Sequence, residues 1–146
     1  MRGNFARSAS CLLTLMISAT VVLLPHGALA QEKSGVAAGK DTFLTHCAVC
    51  HGVKGNGKGP YADLLADKPA DLTQIAKKNH GTFPSEWVAR TIDGRDPLAA
   101  HGPWDMPIWG ERFGQAEESG GKPATKAAVH ARIQQLVAYL KSIQER

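Results

Sequence analysis

An all-α domain of three to five helices joined by long irregular loops is the fold class that this sequence predicts. Three observations point there. Apolar residues recur at helical spacing at the start and the end of the part that follows residue 30. Glycine- and proline-rich stretches separate the helical pieces, and nowhere does the alternation of a convincing β-strand appear.

The first thirty residues stand apart. Arg2 and Arg7 give a positive start, Cys11 to Leu24 is an apolar run of 14 residues, and Ala28-Leu29-Ala30 places small residues around a cleavage point. That is the pattern of a secretory signal peptide. The run ends at Pro25 and is short of the ~20 apolar residues that a membrane span needs. Residues 1–30 are therefore expected to leave as a signal peptide. Residues 31–146 remain as one exported, soluble domain in the periplasm, with no stable membrane insertion. Cys11 has the apolar stretch after it, the reverse of a lipidation site, and is expected to leave with the leader.

Without Arg2 and Arg7, fifteen basic residues face thirteen acidic ones, so the +4 of the whole chain falls to +2. Nucleic-acid binding wants a clustered basic face, which this balance argues against. The 43% hydrophobic and 21% charged content is that of an ordinary globular chain.

Taken in order, Ser34 to His51 reads as the first helix, with Val36, Phe43, Leu44 and Cys47 recurring on it and no proline to interrupt them. Gly52 to Pro60 holds four glycines, an asparagine and a proline and reads as an irregular loop. A phosphate-cradling loop would need a strand before it and a Gly-Lys-Ser/Thr ending, and has neither. Short helical pieces are expected around Tyr61 to Leu65 and Leu72 to Asn79. A firmer helix spans Pro84 to Asp93, with proline in the first turn, Gly94 just past the end, and Trp87, Val88 and Ile92 as its buried side. Arg95 to Gly110, with three prolines and two glycines, reads as an ordered loop packed through Trp104 and Trp109, and Gln115 to Lys122 as a polar link. Pro123 to Ile143 closes the chain as a long helix, with Val129, Ile133, Leu136, Val137, Leu140 and Ile143 on one stripe. A small helical domain with such long loops packs poorly on side chains alone, so something else is expected to fill its centre.

Cys47-Ala48-Val49-Cys50-His51 indicates what that is, because Cys-x-x-Cys-His is the attachment pattern for covalent haem. At the end of a helix two thiols three residues apart can reach the two vinyl groups on one porphyrin edge, while the next imidazole swings under the iron. Zinc would need four ligands, and no further cysteine or spaced histidine pair follows. A redox dithiol would follow a strand in a βαβ unit, and none is visible. One haem c per chain is thus expected.

The sixth iron position has several candidates. Met106 is the only methionine after residue 30 and sits in Trp104-Asp105-Met106-Pro107-Ile108-Trp109-Gly110, where rings and Pro107 would stiffen the loop presenting its thioether. A lone methionine is often core filler, but this setting favours ligation. His101, five residues earlier, is the rival. His46 lies beside the cysteines and would not easily cross to the other haem face, while His80 and His130 read as surface positions.

Together these residues resemble the class I cytochromes c, over Gly39 to Leu140. Gly39, Phe43, Cys47, Cys50 and His51 look like the family's first helix with its haem motif, Met106-Pro107 like its methionine loop, and Leu136, Tyr139 and Leu140 like its C-terminal helix. The resemblance implies the cytochrome c fold, with Cys47, Cys50, His51 and Met106 binding haem and His51 and Met106 holding the iron. The long approach from Arg95 to Trp104 and the insert near Gly120 depart from the pattern. Arg90, Trp87 and Trp109 are possible propionate donors. With both axial positions filled by protein, the expected role is a monomeric one-electron carrier between redox partner proteins, not an enzyme. A haem subunit of an oxidoreductase complex is the alternative, and a peroxidase-like or gas-binding protein a remoter one.

Overall fold

The computed structural model describes residues 26–94, 106–115, 117–118 and 122–145. Most of the expected leader, and the approach to Met106 that contains His101 and Trp104, lie outside the described residues.

Helix α1 spans His26–His46 and begins before the expected Ser34, running through the Ala30–Gln31 junction. Pro25 stands immediately ahead of it in sequence, where a helix tolerates proline because the first N–H groups have no intrahelical partner. Cys47 links α1 to the single turn α2, Ala48–His51. Two 3₁₀ turns follow, Ala62–Leu64 and Leu72–Gln74, the second running into α3, Ile75–Lys78. Helix α4, Ser85–Asp93, stops at Gly94, whose φ of 87° is the left-handed conformation that glycine adopts without strain. Helix α5, Trp109–Gln115, precedes a two-residue ladder in which β1, Glu117–Glu118, pairs antiparallel with β2, Lys122–Pro123. Helix α6, Lys126–Ser142, is capped by Thr125, whose hydroxyl accepts from the Ala128 N–H at 3.1 Å.

The most extensive packing is between α1 and α6. Gly39 is the point of closest approach: a Cβ there would overlap the Gln135 carbonyl. The core around this junction centres on Phe43 and Leu136, both fully buried, with Ile133, Val137, Leu140, Val88, Ile92 and Phe113 around them. Tyr139 packs on Phe43 with ring centroids 5.3 Å apart. The C-terminal residues are tied back, as Gln144 accepts from the Ala76 N–H and donates to the Leu72 carbonyl.

The all-α architecture and the order of helices match the sequence reading; besides the earlier start of α1 and the short ladder that places Pro123 ahead of α6, three differences concern individual residues and one segment. Leu44 is 41% exposed, because about 100° per residue turns it off the inward stripe of Val36, Gly39, Phe43 and Cys47. Trp87 is 37% exposed and Ala89 joins Val88 and Ile92 as the buried side of α4. Residues 109–115 are helical, although Trp109 and Gly110 were expected in the loop and Gln115 in the polar link, with 111–114 left unassigned between them. Gly110 and Gly114 weaken the local signal, while Phe113, only 3% exposed, supplies the tertiary contact that holds the turn.

Candidate haem site

The end of α1 and the turn of α2 bring the attachment motif into one tight bend. The N–H groups of Cys50 and His51 both donate to the Cys47 carbonyl, at 3.1 and 2.9 Å, so Cys47, Cys50 and His51 are held within one helical turn. All three line a cavity of about 430 Å³, within the ~300–1,000 Å³ range of cofactor sites. Phe43, Val88, Ile92, Leu136 and Leu140 supply apolar wall from α1, α4 and α6, and Met106, Pro107 and Trp109 contribute from the segment entering α5.

The glycine-rich loop has a specific part in the site. Gly52, Gly55 and Gly57 all have φ near +76°, a region open to glycine but costly for other residues. The chain folds back so that the Gly57 N–H donates to the His51 carbonyl at 2.8 Å and the Gly59 N–H to the Cys50 carbonyl at 3.0 Å. A side chain at Gly57 would collide with the Pro69 carbonyl. This close approach delivers the neighbouring Ala70 carbonyl to His51 Nδ1, at 3.0 Å. A carbonyl only accepts, so Nδ1 carries the hydrogen and Nε2 the lone pair, the tautomer needed to ligate a metal through Nε2. Residues 52–59 thus orient an imidazole instead of cradling a phosphate.

The thiols are unbridged. Burial, reinforced by Cys50, pushes the Cys47 thiol up to about 12 against a smaller opposing pull from Arg132. Reactive redox dithiols have a depressed pKa, the opposite of the direction at Cys47. Among the described residues no cluster of three His, Cys, Asp or Glu side chains could hold a metal ion. Two thiols in one turn, an imidazole fixed in its ligating tautomer and apolar walls around one cavity, with Met106 among the lining residues, fit a covalently attached haem.

The other expectations sort by position. Trp87 and Trp109 line the cavity, whereas Arg90 is not among its lining residues and pairs with Glu86 one turn away on α4. His80 and His130 are exposed. His46 does line the cavity, and its Nε2 lies 3.1 Å from Arg132 Nη2. Neither that pairing nor the Ala70 carbonyl was legible beforehand: one joins residues 86 apart, and the other is a backbone group that any residue carries.

Fold and site together define a helical domain for covalent haem. The chain belongs to the cytochrome c family, whose model, described as Cytochrome c, matches residues 36–144. Proteins of this family bind haem c covalently and use it for electron transfer. The chain is also similar to the Cbb3-type cytochrome c oxidase subunit FixP of Rhizobium etli, with 41% identity over 66 residues, covering 39% of this chain and 23% of that protein. It thus spans about a quarter of that relative's length. No solved structure matches the chain.

Proposed function

We propose that Cys47 and Cys50 hold the haem through thioethers, that His51 and Met106 fill its two axial positions, and that the protein is an exported, soluble one-electron carrier in the periplasm. The observation that carries this reading is the convergence of the motif's imidazole and the Met106 thioether on one apolar cavity. When bound, the haem supplies an iron that gains and loses one electron. The residues do the rest. Ala70 fixes the His51 tautomer and keeps the ring from rotating. Phe43, Leu136 and Leu140 exclude water from the cavity wall, and an apolar surround together with a thioether ligand favours the ferrous state. With both axial positions filled by side chains, substrate has no route to the iron.

Export rests on the leader-like composition of residues 1–30. In keeping with a soluble product, no helix among the described residues is long and apolar enough to cross a membrane. The partners are redox proteins that give and take single electrons, and the domain works as a monomer.

Similarity to a protein named as an oxidase subunit favours one second reading, in which the domain serves as a haem subunit of an oxidoreductase complex. Co-purification with a larger assembly, under conditions that preserve weak complexes, separates the two.

Exposure of the reduced protein to carbon monoxide at neutral pH tests the closed iron. The absorption spectrum should stay unchanged over minutes; rapid formation of a carbon monoxide adduct would point instead to an open, gas-binding or peroxidase-like site.

A further inference from the structure

The pairing of His46 with Arg132 has no part in attaching or ligating haem, yet it sits against the same cavity. His46 ends α1 beside Cys47, and its ring forms part of the cavity wall. The guanidinium of Arg132, on α6, meets His46 Nε2 at 3.1 Å. Arginine stays protonated and can only donate, so Nε2 accepts and the imidazole is neutral with its hydrogen on Nδ1. The ring of His46 lies 5.5 Å from that of Trp109 and 5.7 Å from that of Phe113. Arg132 in turn stands over the Phe113 face, its Cζ 4.3 Å from the centroid. Among the residues whose side chains are described, the ion pairs are Lys68 with Asp63 and Arg90 with Glu86, and neither involves Arg132. A half-buried cation is therefore held by a neutral imidazole and a π face, neither of which cancels its charge. The imidazole it holds adjoins Cys47 in sequence and lines the same cavity as Cys47.

We infer that Arg132, fixed in place by His46, is a tuning charge that raises the reduction potential of the haem. The inference rests on the haem placement proposed above. Reduction adds one negative charge to the iron centre, so a nearby cation favours the ferrous form. Partial burial keeps that charge from being fully screened. A unit charge roughly 10 Å away at an effective dielectric near 20 changes the ferrous-to-ferric ratio by about tenfold.

Redox titration of the holoprotein, followed by its visible spectrum, tests this with two substitutions. Arg132→Gln keeps an amide donor for His46 and removes the charge; Arg132→Lys keeps the charge and changes the geometry. At a fixed solution potential the glutamine variant should show a ferrous-to-ferric ratio about tenfold lower than wild type, a midpoint shift of about 59 mV for a one-electron couple. The weak sulfur-to-iron band should be retained in that variant, and the lysine variant should stay within about threefold of wild type. Equal losses in both variants would assign the effect to hydrogen-bond geometry and overturn the inference, as would a glutamine variant indistinguishable from wild type. Loss of the sulfur-to-iron band in the glutamine variant alone would also overturn it, by making the pair a prop for the methionine segment. Absence of that band in wild type would instead count against the proposed ligand set, while the difference between variants would still report on the charge.

Discussion

At the scale of single residues, the site depends on which nitrogen of each histidine carries its proton. His51 is fixed by a carbonyl at Nδ1 and His46 by a guanidinium at Nε2, so the two imidazoles, a few residues apart, hold the same tautomer with the hydrogen on Nδ1. Burial, and secondarily the Arg132 charge, hold His46 below its ordinary value of 6.5. The unfolded chain therefore binds a proton that the folded state refuses. This contribution to stability is complete above the ordinary value and is lost as pH falls from about 6.5 toward the lower folded value. Denaturant midpoints measured across that window should fall with pH in wild type and fall less steeply in His46→Gln, whose amide oxygen can accept from Arg132 without titrating. Identical pH profiles would contradict the assignment. The attachment motif, Cys47, Cys50 and His51, was legible from residue type and spacing, and Met106, singled out as the lone methionine of a stiff loop, lines the same cavity. His46 was read only as unable to cross the haem; its partner lies on another helix, and local pattern does not encode such a contact.

At the scale of elements, the decisive contact is between α1 and α6. Glycine in a helix interior costs about 1 kcal/mol relative to alanine, so Gly39 is explained by packing and not by propensity. Gly39→Ala should destabilise the holoprotein by roughly 1–3 kcal/mol, the usual range for overpacking, despite its gain in helix propensity. Gly35, where a Cβ would meet only the Gln135 side chain at 4.0 Å, is the control and should be neutral or slightly stabilised when changed to alanine. Thermal or chemical unfolding of both variants measures this, and equal effects at the two glycines would contradict the close approach. Helices α1, α4 and α6 were legible because their stripes are long and regular. Residues 109–115 were not, since two glycines in seven residues weaken the local preference and Phe113 stabilises the turn only through contacts distant in sequence. Leu44, counted with the recurring apolar residues of the first helix, is exposed because its angle on the helix turns it off the inward stripe.

At the scale of the whole molecule, the helices enclose space instead of filling it. The cavity of about 430 Å³ is lined by apolar side chains from α1, α4 and α6, which a large apolar cofactor would cover from water. The need for a central group was legible from long loops in a small helical chain; the shape of the space was not, because it depends on how α1, α4 and α6 pack. Whether one covalently attached haem is held between His51 and Met106 is tested most directly by the absorption spectrum of the oxidised protein compared with that of Met106→Ala. Wild type should show the weak sulfur-to-iron band at the red end of the visible range, and the variant should lack it while keeping its haem through acid and organic extraction. A band that survives the substitution, or haem that extracts from wild type, would contradict the account.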